Sequence, residues 1–251
     1  MKKLLKTVII LISLLFLICM SACNRSTSYE HDIQIKKNIH DSLSIYPTKN
    51  LEDLYDIKGS RDSDFAKEDK GTWVVDTSIN KNTKYSLHSE GAMLFINRNK
   101  KESKGYYYIS DYKEKDQDTE KRYPVIFKNN KIHPINSNIS KQVKNKIEQF
   151  QFLIQYTDIN ENIEKKRGKY FYNPNVSNFK GRYNLNEQDE ILKAVKTQYN
   201  LDYDQADLLI KGSQEPSTKG ISNKSIQISF NNNYYITDDL IYKPNKKDES
   251  E

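Results

Sequence analysis

Two cysteines, four histidines and one run of spaced aspartates are the side chains here whose types could carry chemistry. Cys23 is the most specifically placed. It follows the small residues Ser21 and Ala22 at the end of an apolar stretch, where a thiol can be alkylated as part of a processing step. His31, His40, His88 and His133 are scattered. A metal site built from separated elements stays open, but isolated surface or edge histidines are the simpler reading. Asp202-x-Asp204-x-x-Asp207 has the look of a calcium loop, yet it lacks the glycine at position six and the closing bidentate acid. Helix capping around Asp204 accounts for it better. H-E-x-x-H, G-x-S-x-G, P-loop and G-x-G-x-x-G patterns do not occur. No catalytic residue, metal ligand or cofactor is therefore assigned, the binding residues stay unknown, and the chain is read as non-enzymatic.

The surroundings of Cys23 explain its chemistry. Met1-Lys2-Lys3-Leu4-Leu5-Lys6 is a positive start, Thr7 to Cys19 is apolar, and Ser21-Ala22 form a small-residue cut site. That order is a secretory signal. The apolar run falls short of the roughly 20 residues that a membrane span needs. Met20-Ser21-Ala22-Cys23 resembles the lipobox of bacterial lipoproteins, with Met20 where Leu is common. In such proteins the Cys23 sulfur would take a diacylglyceryl group, and residues 1–22 would be cut off after Ala22. The expected partners are the lipid bilayer, through the Cys23 lipid, and the lipoprotein-processing enzymes. A plain secretory signal with a coincidental cysteine is the alternative.

Processing would remove Lys2, Lys3 and Lys6 and no acid, lowering the net charge from +6 to +3. The charges that remain are interspersed, which argues against a nucleic-acid partner. With Cys19 discarded and Cys23 lipidated, the folded part has no disulfide or thiol and must be held by burial alone. Its 18 tyrosines read mainly as packing residues with the hydroxyl at an edge.

Residues 23–30 read as a lipidated tether, 31–242 as the domain and 243–251 as a charged disordered tail. Ile35, Ile39 and Leu43 at spacing four predict a helix over about 30–45, ended by Tyr46-Pro47. A short helix follows around Leu51, Leu54 and Tyr55. After Gly71 the period changes to two. Thr72–Asp76, Ala92–Ile96, Tyr106–Ile109 and Tyr123–Phe127 predict a meander, with Pro124 placing its strand at an edge or near its own beginning. Ser140 to Tyr156 returns to helical spacing, capped by Asn138 or Ser140, and Glu187 to Tyr199 is a second helical stretch. Tyr170–Tyr172 and Arg182–Leu185 are short strand candidates, Ala206–Ile210 is ambiguous, and Ser225–Phe230 with Tyr234–Tyr242 predict a hairpin. The fold class is α+β, mostly antiparallel β-sheet with packed helices; two similar helix-then-strands halves, about 30–135 and 140–242, are an open arrangement. Trp73 and Tyr106-Tyr107-Tyr108 could form an aromatic platform, but alternation puts Tyr107 opposite its two neighbours.

Several blocks resemble the staphylococcal tandem lipoproteins, also called conserved staphylococcal antigens. They are Tyr46-Pro47-Thr48-Lys49-Asn50-Leu51-Glu52-Asp53-Leu54-Tyr55-Asp56, Lys70-Gly71-Thr72-Trp73-Val74, Ile96-Asn97-Arg98-Asn99 and Lys121-Arg122-Tyr123-Pro124-Val125, then Tyr172-Asn173-Pro174, Leu208-Leu209-Ile210-Lys211-Gly212-Ser213 and Ile241-Tyr242. The resemblance implies a surface lipoprotein held on the outer face of the cytoplasmic membrane of a Gram-positive bacterium. It implies a lipidated N-terminus that stimulates host innate immunity through Toll-like receptor 2, and a protein part that promotes entry into host cells. Host receptors and host-cell proteins are thus expected partners. Only the lipidated cysteine carries over, onto Cys23. A solute-binding or envelope-chaperone lipoprotein with an aromatic groove is the competing function.

Overall fold

A computed structural model describes residues 32–114, 117–173, 178–213, 221, 223–231 and 233–245. Ala22, Cys23, the expected tether over 23–30 and His31 lie outside the described residues. The first helix, α1, covers residues 32–43 and buries Ile35, Ile39 and Leu43, the three positions at spacing four. A 3-10 turn, Leu51–Tyr55, follows, with the Asn50 side chain accepting the Glu52 N–H at its start.

Five strands come next: β1 (Thr72–Asn82), β2 (Ser86–Asn97), β3 (Glu102–Lys113), β4 (Thr119–Lys128) and β5 (Lys131–Pro134). Three short helices separate them from the second set, α2 (Lys141–Gln149), α3 (Leu153–Tyr156) and α4 (Ile159–Glu164). That set is β6 (Lys169–Asn173), β7 (Asn178–Asn186), β8 (Gln205–Ser213), β9 (Lys224–Asn231) and β10 (Tyr234–Lys243), with α5 (Glu190–Tyr199) between β7 and β8. All ten strands form one sheet in the order β5-β4-β3-β2-β1-β10-β9-β8-β7-β6. Each neighbouring pair is antiparallel. The fold is α+β and mostly antiparallel, as expected. Both halves do run helix first and strands second, but they merge into a single sheet where β1 pairs with β10, Val75 opposite Leu240.

Alternation along the strands makes two unlike faces. On one, Trp73, Val75, Leu94, Ile96, Tyr107, Leu208, Ile210, Ile226, Ile228, Ile236 and Leu240 are buried in a single core with Ile39, Ile147, Leu153, Ile163 and Leu192 from the helices. The other face, through Asp76, Met93, Phe95, Tyr106, Tyr108 and Arg122, has no helix over it among the described residues.

Several expectations need correction. The helix expected over Ser140 to Tyr156 breaks after Gln149: Phe150 and Phe152 adopt extended backbone and meet edge to face at 5.3 Å. The break lets the Phe150 ring meet Tyr107 edge to face at 5.8 Å and buries Phe152 in the core. Ser140 does cap α2, accepting the Val143 N–H at 3.3 Å. The ambiguous stretch Ala206–Ile210 is strand β8. Asp204 therefore caps no helix; it precedes a strand and pairs with Lys196 at 3.4 Å. Pro124 sits mid-strand, just beyond the end of the four-residue β5, where its carbonyl still accepts from Ile135 N–H. Ordered chain also continues past 242. Lys243 belongs to β10, and the Asn245 N–H donates to the Asp69 carboxylate at 2.7 Å.

Candidate functional site

The aromatic residues divide between the two faces. Trp73 is fully enclosed, with its indole N–H donating to the Ile57 carbonyl at 3.0 Å and its ring 4.7 Å from Tyr242. It lines no groove. Tyr107 is buried on the helix-covered side and donates to Glu90; burial first, and that carboxylate second, push its hydroxyl pKa up. Tyr106 and Tyr108 point the other way and meet on the open face with ring centres 6.0 Å apart.

Strand register extends this pair into a stripe. Tyr106 lies 6.4 Å from Phe95 and its hydroxyl donates to Met93 Sδ at 3.2 Å. The Arg122 guanidinium stacks over the Tyr106 ring at 4.6 Å, and Lys243 Nζ stands 5.3 Å from the Phe95 ring centre. Cations at both ends of an aromatic row offer stacking, charge and hydrogen-bonding capacity on one face of the sheet. Beside the stripe, Asp76 on β1 faces Asp239 on β10 directly across the ladder. Burial, then the Asp239 and Asp238 carboxylates, raise the Asp76 pKa to about 7, while the Tyr108 hydroxyl donating at 3.1 Å opposes the rise. The residue thus carries part of a proton at neutral pH.

A second polar cluster lies on the covered face. Asp238 is 0% exposed and accepts from the Tyr46 hydroxyl at 2.5 Å and from the Thr77 hydroxyl. Thr77 in turn accepts the Leu153 N–H at the start of α3. Lys224, 4% exposed, has no hydrogen-bond partner for its ammonium among the described residues, and the ammonium stands 5.8 Å from the Tyr46 ring centre. Burial lowers the Lys224 pKa to about 7 and raises that of Asp238 to about 6; the Thr77 and Tyr46 hydroxyls hold the latter back. An acid, a phenol and a lysine together resemble acid–base machinery. Tyr46, at 3% exposed, closes the group off with the other two, and its hydroxyl ties the segment after α1 to the sheet.

The remaining sequence candidates stay apart. His88 bonds Asp111 at 2.7 Å, His133 contacts the Lys128 carbonyl at 3.2 Å, and His40 is exposed on α1. Asp202 and Asp207 are exposed, and no three His, Cys, Asp or Glu side chains gather as metal ligands among the described residues. The sequence reading missed Asp238 and Asp76. A signal existed for Asp238: it interrupts the inward series Ile236, Leu240, Tyr242 at an apolar position. Asp76 has none, because its partner comes from the far end of the chain.

The family model for the Csa1 family matches residues 31–245, most of the chain. This protein belongs to the Csa1 family. An uncharacterized lipoprotein of Staphylococcus epidermidis is 39% identical to this Csa1 protein over 257 residues, covering 98% of this chain and 99% of the relative. One from Staphylococcus aureus strain USA300 is 37% identical over 256 residues, with 98% and 99% covered. Among solved structures, the Mycobacterium tuberculosis lipoprotein LppX aligns at 12% identity and a TM-score of 0.31, over 71% of this chain and 90% of that one. That likeness is too slight to build on. The full-length lipoprotein relatives imply a membrane-anchored place in the cell envelope for this Csa1 protein.

Proposed function

We propose that this protein is a non-enzymatic lipoprotein, anchored by a diacylglyceryl group on Cys23 to the outer face of the cytoplasmic membrane, that uses its domain to contact a protein partner. The observation that carries the reading is Cys23 itself, placed after Ser21-Ala22 at the end of a signal-like stretch in a chain whose near-full-length relatives are named lipoproteins. Two acyl chains give stable anchoring where one is marginal, at about 0.8 kcal/mol per buried methylene. The lipidated terminus is the part that stimulates host innate immunity. The folded part contacts host-cell proteins, and the stripe from Phe95 through Tyr106 to Arg122 is the surface best suited to that contact, because it is aromatic, flanked by cations and uncovered. The enclosed Trp73 weighs against the aromatic-groove alternative.

Cys23→Ala tests the anchor. The variant is expected to lose the lipid mass, to leave the detergent phase and to stop activating the innate receptor. A variant that still partitions with detergent and still activates the receptor refutes the reading.

A further inference from the structure

Near the β6 end of the sheet, positive charge gathers without compensation. Lys169 on β6 lies directly across from Arg182 on β7, and Lys180 on β7 directly across from Lys211 on β8. Like charges facing each other across a ladder destabilise it. None of these four, nor Lys165 and Arg167 in the turn after α4, makes an ion pair with a described residue; Lys166 alone is neutralised, by Asp189 at 2.6 Å. Lys165, Lys166, Arg167, Lys169, Arg182 and Asn184 line an open cleft of about 320 Å³. Phe171, opposite Lys180, is 59% exposed beside them.

The place of this patch in the chain says what it faces. Lys36, near the start of α1, donates to the Glu164 carbonyl at 2.9 Å, and Glu164 immediately precedes Lys165. The beginning of the described chain therefore touches the segment that forms the cleft. Eight residues separate Cys23 from Asp32, and the nine steps from one to the other reach at most about 32 Å. We propose that this basic cleft, with Phe171 as its apolar tooth, docks onto the anionic phospholipid headgroups of the membrane to which the protein is anchored. The proposal rests on the Cys23 anchor. Cations would meet headgroup phosphates while an exposed aromatic ring enters the interface. The unpaired charges, costly in the isolated domain, find their counterions there.

Docking would fix the orientation of the domain. β6 ends one side of the sheet, and register puts Phe171, Lys180 and Lys211 on the same face as Asp76 and Tyr106 of the aromatic stripe, so the bilayer would meet that face from its β6 end.

The test uses the full lipidated chain carrying Phe171→Trp, reconstituted into phosphatidylcholine vesicles with or without phosphatidylglycerol and with a headgroup-level quencher. Trp73 is enclosed and provides an unquenched background. The indole placed at 171 is expected to be quenched in the anionic vesicles only, and to be released by high salt. Adding Lys169→Gln and Arg182→Gln is expected to lower the docked-to-undocked ratio about fivefold per charge removed, with an unchanged circular dichroism spectrum. Equal quenching in both vesicle types, or none in anionic vesicles, overturns the proposal. So does protection of the cleft by inorganic phosphate with no quenching by any vesicle. Intact mass and co-sedimentation with phosphatidylcholine alone report separately on the lipid at Cys23, so loss of the anchor and loss of docking are told apart.

Discussion

Replacing Asp76 by Asn should stabilise the domain, and by more at high pH than at low. The carboxyl pKa rises from 3.8 to about 7 in the folded protein, burial being the main cause and the carboxylates of Asp239 and Asp238 adding to it. Between those two values the folded state holds a proton that the unfolded state has released. Wild-type stability therefore falls as pH rises from about 4 to about 7, and the full cost is present above that. About three units at 1.36 kcal/mol each set a ceiling of about 4 kcal/mol at pH 8, against less than about 1 kcal/mol at pH 4. Water can reach the open face, so about 2 kcal/mol at pH 8 is the working expectation. Asn keeps an acceptor for the Tyr108 hydroxyl, which now donates to Asp76 at 3.1 Å, so the substitution removes charge and little else. Urea unfolding of both proteins at pH 4.5 and pH 8 should show the midpoint gain growing with pH, to on the order of 1 M. A gain independent of pH, or a loss at pH 8, would refute the electrostatic account of the Asp76–Asp239 pair.

Two further changes probe the covered face. Tyr46→Phe leaves Asp238 with the Thr77 hydroxyl as its one side-chain donor among the described residues, and should cost about 1–3 kcal/mol. The loss should be greater at pH 8 than at pH 5, because the ionised carboxylate is the form deprived of its donor. Gly105→Ala would set a methyl 1.9 Å from the Met93 carbonyl oxygen and 2.9 Å from Leu94 Cα. The β2–β3 ladder must then part, and a loss of about 2 kcal/mol, seen as a fall in Tm of roughly 4–8 °C, is the expected result; an unchanged Tm would mean that the two strands are not so closely apposed.

Local regularity made much of this fold legible. Ile35, Ile39 and Leu43 announce α1 at a spacing of four, and the alternation around Trp73, Leu94 and Tyr107 announces the meander. Where position-by-position pattern competes with distant packing, sequence reading fails. Nothing near Phe150 says that its ring will leave the helix to meet Tyr107, and β5, with four residues, is too short to show a period. The charge facing pairs have the same origin. Lys169, Lys180, Arg182 and Lys211 look interspersed along the chain, and only register turns them into a patch. The Cys23 motif is local and reads directly; the surfaces that a partner or a bilayer would meet are products of pairing.

The seam between β1 and β10 has a consequence for how the chain comes to be folded. Val75 must wait for Leu240, which is made roughly 165 residues later. Until then β1 has an unsatisfied edge in what will be the middle of the sheet, and the two meanders can form only as separate, incomplete units. Loops of that length close slowly. A chain threaded through a membrane from its N-terminus would remain pliable until its last strand emerged. For the same reason, a protein missing only β10 would lose its centre and not merely its end.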